Sequence, residues 1–320
     1  MYKHASINRN YKLVWSDLRR MYVPVPEHQS ARPAKSGKRN LITCLAALAL
    51  APVMSFAEPT GGVVKAGSAF ISSTGAVGAK VTNIKQNNTG LLSLEWGSFN
   101  IGVNETVNFV QPSQNSVAFN RILDAQGSQV LGKINATGHV WLVNPNGIFF
   151  GNTAQVNVGG LVATTLNTAN PQAMGSYSQN FAGSSTATVE NQGLINAGFA
   201  NPAGTGSKAG GYVALVGQSV KNSGRITAAT EGGTVALAAG SDINLQLTGN
   251  SLIRVTVNQN QLQALAVNGG LMQADGGKVI LTAGAANSAL ASVVNNSGVL
   301  QAKSTAMTNG QIMLSSASKD

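Results

Sequence analysis

The chain has 320 residues, of which 43% are apolar, only 10% charged and 5% aromatic, with 37 glycines. The apolar share excludes a disordered chain, and the scarcity of helix formers at helical spacing excludes a helical bundle, which leaves many short strands joined by tight turns. The formal charge of +10 divides unevenly, with nine Lys/Arg against two Asp/Glu in residues 1–57 and twelve against nine beyond, so the body lacks the clustered basic surface that a nucleic-acid partner needs.

Taken in chain order, the first segment is an extension followed by an apolar run. His4-Ala5-Ser6, Asn8 and Tyr11-Lys12-Leu13-Val14-Trp15-Ser16 lead to Val23-Pro24-Val25-Pro26-Glu27. Leu41 to Met54 is then long enough for a signal h-region and too short to span a bilayer as a helix. Pro52 ends it, and Ser55-Phe56-Ala57 supplies small residues at −3 and −1, so cleavage is expected between Ala57 and Glu58. Cys44 falls in the removed part, so the mature chain has no disulfide or cysteine metal site. Leu41-Ile42-Thr43-Cys44 makes a poor lipidation box, because the apolar run follows the cysteine instead of ending at it. The competing reading of the extension is a small amphipathic helix carrying Tyr11, Val14 and Trp15.

Glu58 to Glu95 is expected to form an N-terminal β cap over the first strands, with Trp96 and Phe99 in its core. From Phe99 to Leu166, short apolar strands alternate with Asn/Gly turns. Two motifs stand out: Asn115-Ser116-Val117-Ala118-Phe119-Asn120-Arg121 and Asn144-Pro145-Asn146-Gly147-Ile148. In the second, Pro145 fixes φ and Asn146-Gly147 tolerates positive φ, which suits a corner between strands. Arg121 has two expected partners, the Asp124 carboxylate or a backbone carbonyl.

Beyond residue 186 the chain repeats. Asn191-Gln192-Gly193-Leu194-Ile195 is echoed from Asn222, Asn268 and Asn296, each followed two residues on by Gly224, Gly270 or Gly298. A second motif, Gly210-Gly211-Tyr212-Val213-Ala214-Leu215, recurs at Gly232 and Gly276. Val213 to Val235 is 22 residues, and Val235 to Val279 is 44, twice that. The missing copy falls where Asp242 to Val257 supplies different strands. A unit of that length with short strands and sharp corners fits one rung of a right-handed parallel β-helix, in which Val213, Val235 and Val279 share one stack and asparagines form ladders. The rival β-sandwich would lack a fixed repeat.

The quoted motifs resemble the secretion domain of two-partner secretion exoproteins, the family of filamentous haemagglutinin and the high-molecular-weight adhesins. The extension resembles the extended signal-peptide region of very large Gram-negative exported proteins. The likeness is close over residues 1–165 and one of repeat style after that. It implies three segments: an extended signal peptide over 1–57, a secretion domain over 58–185, and β-helix repeats over 186–320. It implies that Asn144, Pro145, Asn146, Gly147 and Ile148 form the secretion motif, and that Asn115, Asn120 and Arg121 mark the adhesin branch. The implied partners are the general secretory machinery and a cognate outer-membrane transporter of the TpsB type met in the periplasm. A host-cell or matrix receptor stays open, as does haem or haemopexin capture, which relatives in this branch perform. The product would be secreted or held at the cell surface.

A β-helical carbohydrate-active enzyme is the alternative from another class. It needs grouped carboxylates. Only Glu231 and Asp275, 44 residues apart, could align on one face, two rungs apart. His139 is the only histidine after residue 57, which makes no metal site. No cofactor is expected, and the chain reads as a non-enzyme.

Overall fold

Strands form here because short runs of up to eight residues, rich in β-branched and small side chains, lie between Gly and Asn corners. The computed structural model describes residues 11–16, 21–26, 58–168, 178–200, 208–228, 232–248, 251–258, 264–285, 292–304 and 310–318. It separates into two units, Met1–Val53 and Met54–Asp320. In the first, Tyr11–Ser16 pairs antiparallel with Met21–Pro26, with Trp15 opposite Tyr22. The segment is therefore a hairpin and not the amphipathic helix, consistent with its aromatic and β-branched residues and its prolines. The apolar run, Cys44 and the Ser55-Phe56-Ala57 site lie outside the described residues.

The second unit is a parallel β-helix, and its described residues contain no helix. Each coil visits three sheets in turn. Among the described residues, sheet A has nine strands, including Leu91–Trp96, Val117–Ile122, His139–Val143, Gly160–Thr164, Tyr212–Gly217, Thr234–Ala239 and Lys278–Ala285. Sheet B also has nine, among them Thr106–Val110, Lys133–Ala136, Gln155–Val158 and Leu194–Ala197. Sheet C has six, beginning with Ser128–Val130, Ile148–Phe150 and Thr188–Asn191. The cap is present: Val63–Ala66 runs antiparallel to Leu91–Trp96, and Ala69–Thr74 antiparallel to Val81–Gln86, so the first parallel strands are not left open. Trp96 and Phe99 are buried beneath it in edge-to-face contact, centroids 5.4 Å apart.

The interior is a set of vertical columns. Leu92, Ala118, Val140, Leu161, Val213, Val235 and Val279 pair in register from one strand of sheet A to the next and are all buried in the central core. The expected stack of Val213, Val235 and Val279 is part of this column. No rung intervenes between Val235 and Val279, however, because they are direct neighbours. The doubled spacing is one coil enlarged by a hairpin, Asp242–Thr248 with Ser251–Asn258. Residues 44 apart across that insertion are thus one rung apart, and Glu231 itself lies outside the described residues.

That hairpin, joined by Ser178–Ala182, makes a small antiparallel sheet D. Its Phe181, Ile243, Leu245 and Leu252 form a second core with the outward side chains of sheet A, namely Phe119, Trp141, Val162, Tyr212, Ala214 and Ala236. The middle strands of sheet A are consequently buried on both faces, and strands such as His139–Val143, Tyr212–Gly217 and Thr234–Ala239 are buried at every position instead of alternating. Within this layer Trp141 Nε1 donates to Tyr212 Oη at 2.9 Å. Burial pushes the Tyr212 phenol well above its ordinary range, and the Trp141 bond offsets only part of that.

The Asn-x-Gly repeats build the corners between sheets C and B. Asn191, Asn222, Asn268 and Asn296 form a ladder in which each Nδ2 donates to the Oδ1 of the next, at 2.8, 2.7 and 2.7 Å. A second ladder runs up sheet B through Asn83, Asn108, Asn135, Asn157 and Asn196, each later Nδ2 donating back to the earlier Oδ1. The corner glycines are needed for a reason other than left-handed backbone. A Cβ on Gly270 would stand 2.0 Å from Gly224 O, and one on Gly298 would stand 2.1 Å from Gly270 O. Successive rungs pass too closely for any side chain there.

The Asn144–Ile148 corner as candidate functional site

Sheet A delivers the chain to Asn144, and Pro145 blocks any continuation of the ladder by removing an N–H. Gly147 N then donates to Asn144 O at 3.0 Å, closing a four-residue turn. Gly147 has φ +110°, the left-handed region expected of this motif, and its O accepts from Ser128 N at 2.9 Å. Ile148 turns inward and is buried in the central core.

The two asparagines of the motif have different surroundings. Asn144 is fully buried. Its Nδ2 donates to Ser128 Oγ at 3.0 Å and to Gln126 O at 3.2 Å, both in the rung before. Its Oδ1 accepts from Asn146 N at 2.9 Å, and its own N donates to Thr164 O in the rung after, at 3.0 Å. One side chain and its backbone thus join three rungs. Asn146 is exposed, and its side chain is tied down by Nδ2 donating to Asp124 O at 2.7 Å.

The corner is the middle member of three that use one device. Gln126 N donates to Asp124 Oδ1 at 2.9 Å, and Ala187 N donates to Ser185 Oγ at 3.2 Å, as Asn146 N does to Asn144 Oδ1. In each, an oxygen-bearing side chain captures the amide two residues on. The three are tied together, because Ser185 Oγ donates to Pro145 O while Asn146 reaches Asp124 O. Sequence reasoning missed Asp124 and Ser185 in these roles. The signal for Asp124 was its 20-residue distance from Asn144, one rung. The excursion that contains Ser178–Ala182 hid Ser185, 41 residues beyond Asn144.

Two shallow depressions flank Asn146. One, about 530 Å³, is lined by residues that include Gln126, Pro145, Asn146, Thr165 and Ser184. The other, about 280 Å³, includes Ser128, Gly147, Phe149, Thr188 and Glu190. Hydroxyl and amide groups dominate the first, and it has no charged lining residue.

The upstream motif serves the fold around this corner. Asn120 is fully buried inside the helix, its Oδ1 accepting from Trp96 Nε1 at 2.9 Å and its Nδ2 donating to Ala118 O at 2.9 Å. Arg121 takes the backbone option: Nη2 donates to Thr168 O at 3.4 Å, with the guanidinium 5.9 Å from the Phe119 ring centre. Asn115 is exposed on a turn, where its N donates to Ser113 Oγ. His139 is buried and stacked on Tyr212. Glu58, the expected first mature residue, pairs with Lys80 at 2.7 Å in the cap.

Residues 56–320 match the TPS secretion domain, and residues 8–55 match the extended signal peptide of the type V secretion system. The chain belongs to the TPS secretion domain family. The fold is similar to the crystal structure of the HMW1 secretion domain from Haemophilus influenzae, with 30% identity and a TM-score of 0.63 over 80% of this chain and 62% of that one. Two heme/hemopexin-binding proteins of Haemophilus influenzae are also similar. The first is 36% identical over 257 residues, covering 80% of this chain and 27% of its own length. The second is 33% identical over 231 residues, covering 69% and 25%. The chain therefore spans about a quarter of the length of these curated relatives. As a TPS secretion domain behind an extended signal peptide, it is an exported two-partner exoprotein of a Gram-negative cell, passing through the periplasm to the surface or the medium.

Proposed function

We propose that the Asn144–Ile148 corner is the part of the secretion domain that a cognate outer-membrane transporter recognises. The observation that carries this is the contrast between its two asparagines. Asn144 has its bonding capacity spent inside the fold, and the effect is to hold Pro145 and Asn146 outward at a fixed point between two depressions. A surface prepared by buried hydrogen bonds costs little ordering when a partner docks.

In this reading the chain crosses the inner membrane through the general secretory machinery and is cut between Ala57 and Glu58. It then meets the transporter's periplasmic domains. The division into a secretion domain over 58–185 and repeats over 186–320 is part of the same proposal. The chain acts as a non-enzymatic adhesin-type exoprotein. Capture of haem or haemopexin is the second reading, and the names of the two similar proteins favour it.

The test is secretion from a Gram-negative host that co-expresses the transporter, with folding followed by circular dichroism. Asn146→Ala is expected to fold and to lose secretion. Asn144→Ala is expected to lose both, because about 2–4 kcal/mol of buried hydrogen bonding goes with it. A well-secreted Asn146→Ala protein would remove the recognition role. Secretion in the absence of any transporter would overturn the pathway.

A further inference from the structure

The corner at Asn144 is not complete within its own rung. Ser185 Oγ donates to Pro145 O, and the same oxygen accepts from Ala187 N. One hydroxyl therefore closes its own turn and clamps the turn beneath it. The same segment passes close to Gly147, where an added Cβ would lie 3.3 Å from Thr188 O and 3.7 Å from the Ala187 Cβ. Gly183 N is in turn tied to Ser241 O at 2.9 Å. The segment from Gly183 to Ala187 runs outside the sheets, so these bonds and not a ladder hold it over the motif.

From this geometry we infer that Ser185 is a positioning residue for the secretion motif. It locks the Pro145 carbonyl so that Asn146 is presented in one orientation, and it does so only after the rung containing Thr188–Asn191 has docked. The surface offered at Asn146 is then assembled from residues 40 apart in the chain, Pro145 and Ser185. A chain folded only through Gly160–Thr164 has the Asn144 bonds of the turn but lacks the lock on the Pro145 carbonyl. The inference rests on the reading of the Asn144–Ile148 corner as a recognition surface.

The experiment uses the full chain with its transporter co-expressed. Ser185→Ala deletes the donor to Pro145 O together with the acceptor for Ala187 N, Ser185→Thr keeps both, and Thr74→Ala removes an exposed hydroxyl in the cap strand Ala69–Thr74 as control. Ser185→Ala is expected to lower secretion about three- to tenfold, the net worth of about one hydrogen bond, that to Pro145 O. Ser185→Thr is expected to restore it, and Thr74→Ala to leave it unchanged. Amide hydrogen exchange on the purified proteins supplies a readout that a general loss of stability would not mimic. In Ser185→Ala, Asn146 and Gly147 should exchange faster while the amides of Leu161 and Val213 keep their protection.

If Ser185→Ala is secreted like the wild type, or loses secretion without faster exchange at Asn146 and Gly147, the inference is overturned. The same holds if Ser185→Thr fails to rescue. The underlying reading fails separately, through normal secretion of Asn146→Ala.

Discussion

Replacing Asn222 by alanine removes the second member of the buried ladder at the corners between sheets C and B. Asn222 is almost wholly buried; its Nδ2 donates to Asn268 Oδ1 at 2.7 Å and its Oδ1 accepts from Asn191 Nδ2 at 2.8 Å. Two amide–amide bonds are lost, at about 1 kcal/mol each. Asn191 Nδ2 keeps its bond to Gly193 O, but Asn268 Oδ1 is left buried without this donor, which costs about 1–3 kcal/mol more. The expected destabilisation is therefore about 3–5 kcal/mol. Urea unfolding followed by far-ultraviolet circular dichroism measures it. Hydrogen exchange at Gly224, Gly269 and Gly270 shows whether the loss is local, as expected where each rung leans on its neighbours. Asn222→Asp sharpens the test. A carboxylate cannot donate to Asn268 Oδ1, whereas the neutral acid can, so burial and that acceptor raise its folded pKa above the unfolded value of about 3.9. The variant should be least impaired below that value and lose stability as pH rises toward the folded one. An Asn222→Ala protein within about 0.5 kcal/mol of wild type, less than a single net hydrogen bond, would refute the argument.

Gly270→Ala should cost more than about 3 kcal/mol or prevent folding, since its Cβ would stand 2.0 Å from a backbone oxygen that belongs to another rung; expression and thermal unfolding report it. Tyr212→Phe leaves the buried Trp141 Nε1–H without its acceptor and should destabilise by about 1–3 kcal/mol in thermal unfolding. Burial pushes the Asp275 carboxyl up, but hydrogen bonds from Lys303 N, Gln273 and Gln301, with the Lys303 charge, outweigh it and hold the pKa below its ordinary value. Its contribution to stability is thus present above the unfolded pKa of about 3.9 and lost as pH falls through the lower folded value, so Asp275→Asn should flatten the acid limb of a stability–pH curve.

Much of the architecture can be read from spacing, because stacking converts a sequence period directly into register. Val213 and Val235 pair because 22 residues make one coil. Asn191, Asn222, Asn268 and Asn296 recur because each amide needs the next. The period misleads at Val279, where the inserted hairpin happens to equal a rung in length. Nor does composition reveal that sheet A is covered outside. A strand such as Tyr212–Gly217 is apolar at every position, and period two carries no information when both faces are buried. At the candidate site, Asn144 and Asn146 look equivalent in sequence, and only the fold separates the buried one from the exposed one. Ser185 was illegible because a hydroxyl bonded to a distant carbonyl leaves no periodic trace.

The cover over sheet A also bears on how the molecule comes apart. A plain solenoid resembles a stack of coins, in which each disc touches only two others and can peel away alone. Here Asp242–Thr248 is the middle strand of sheet D, and it reaches back to Ser178–Ala182, about sixty residues earlier. Phe181, Ile243 and Leu245 share a core with side chains that run from Phe119 to Ile280. Sheet D thus acts as a splint bound across several discs at once, so the rungs from Val117–Ile122 to Lys278–Ala285 are expected to melt together in a single thermal transition instead of singly. A chain that emerges N-terminus first would lack that splint until Asn258 has appeared. From then on, drawing one rung back means breaking the whole bound block.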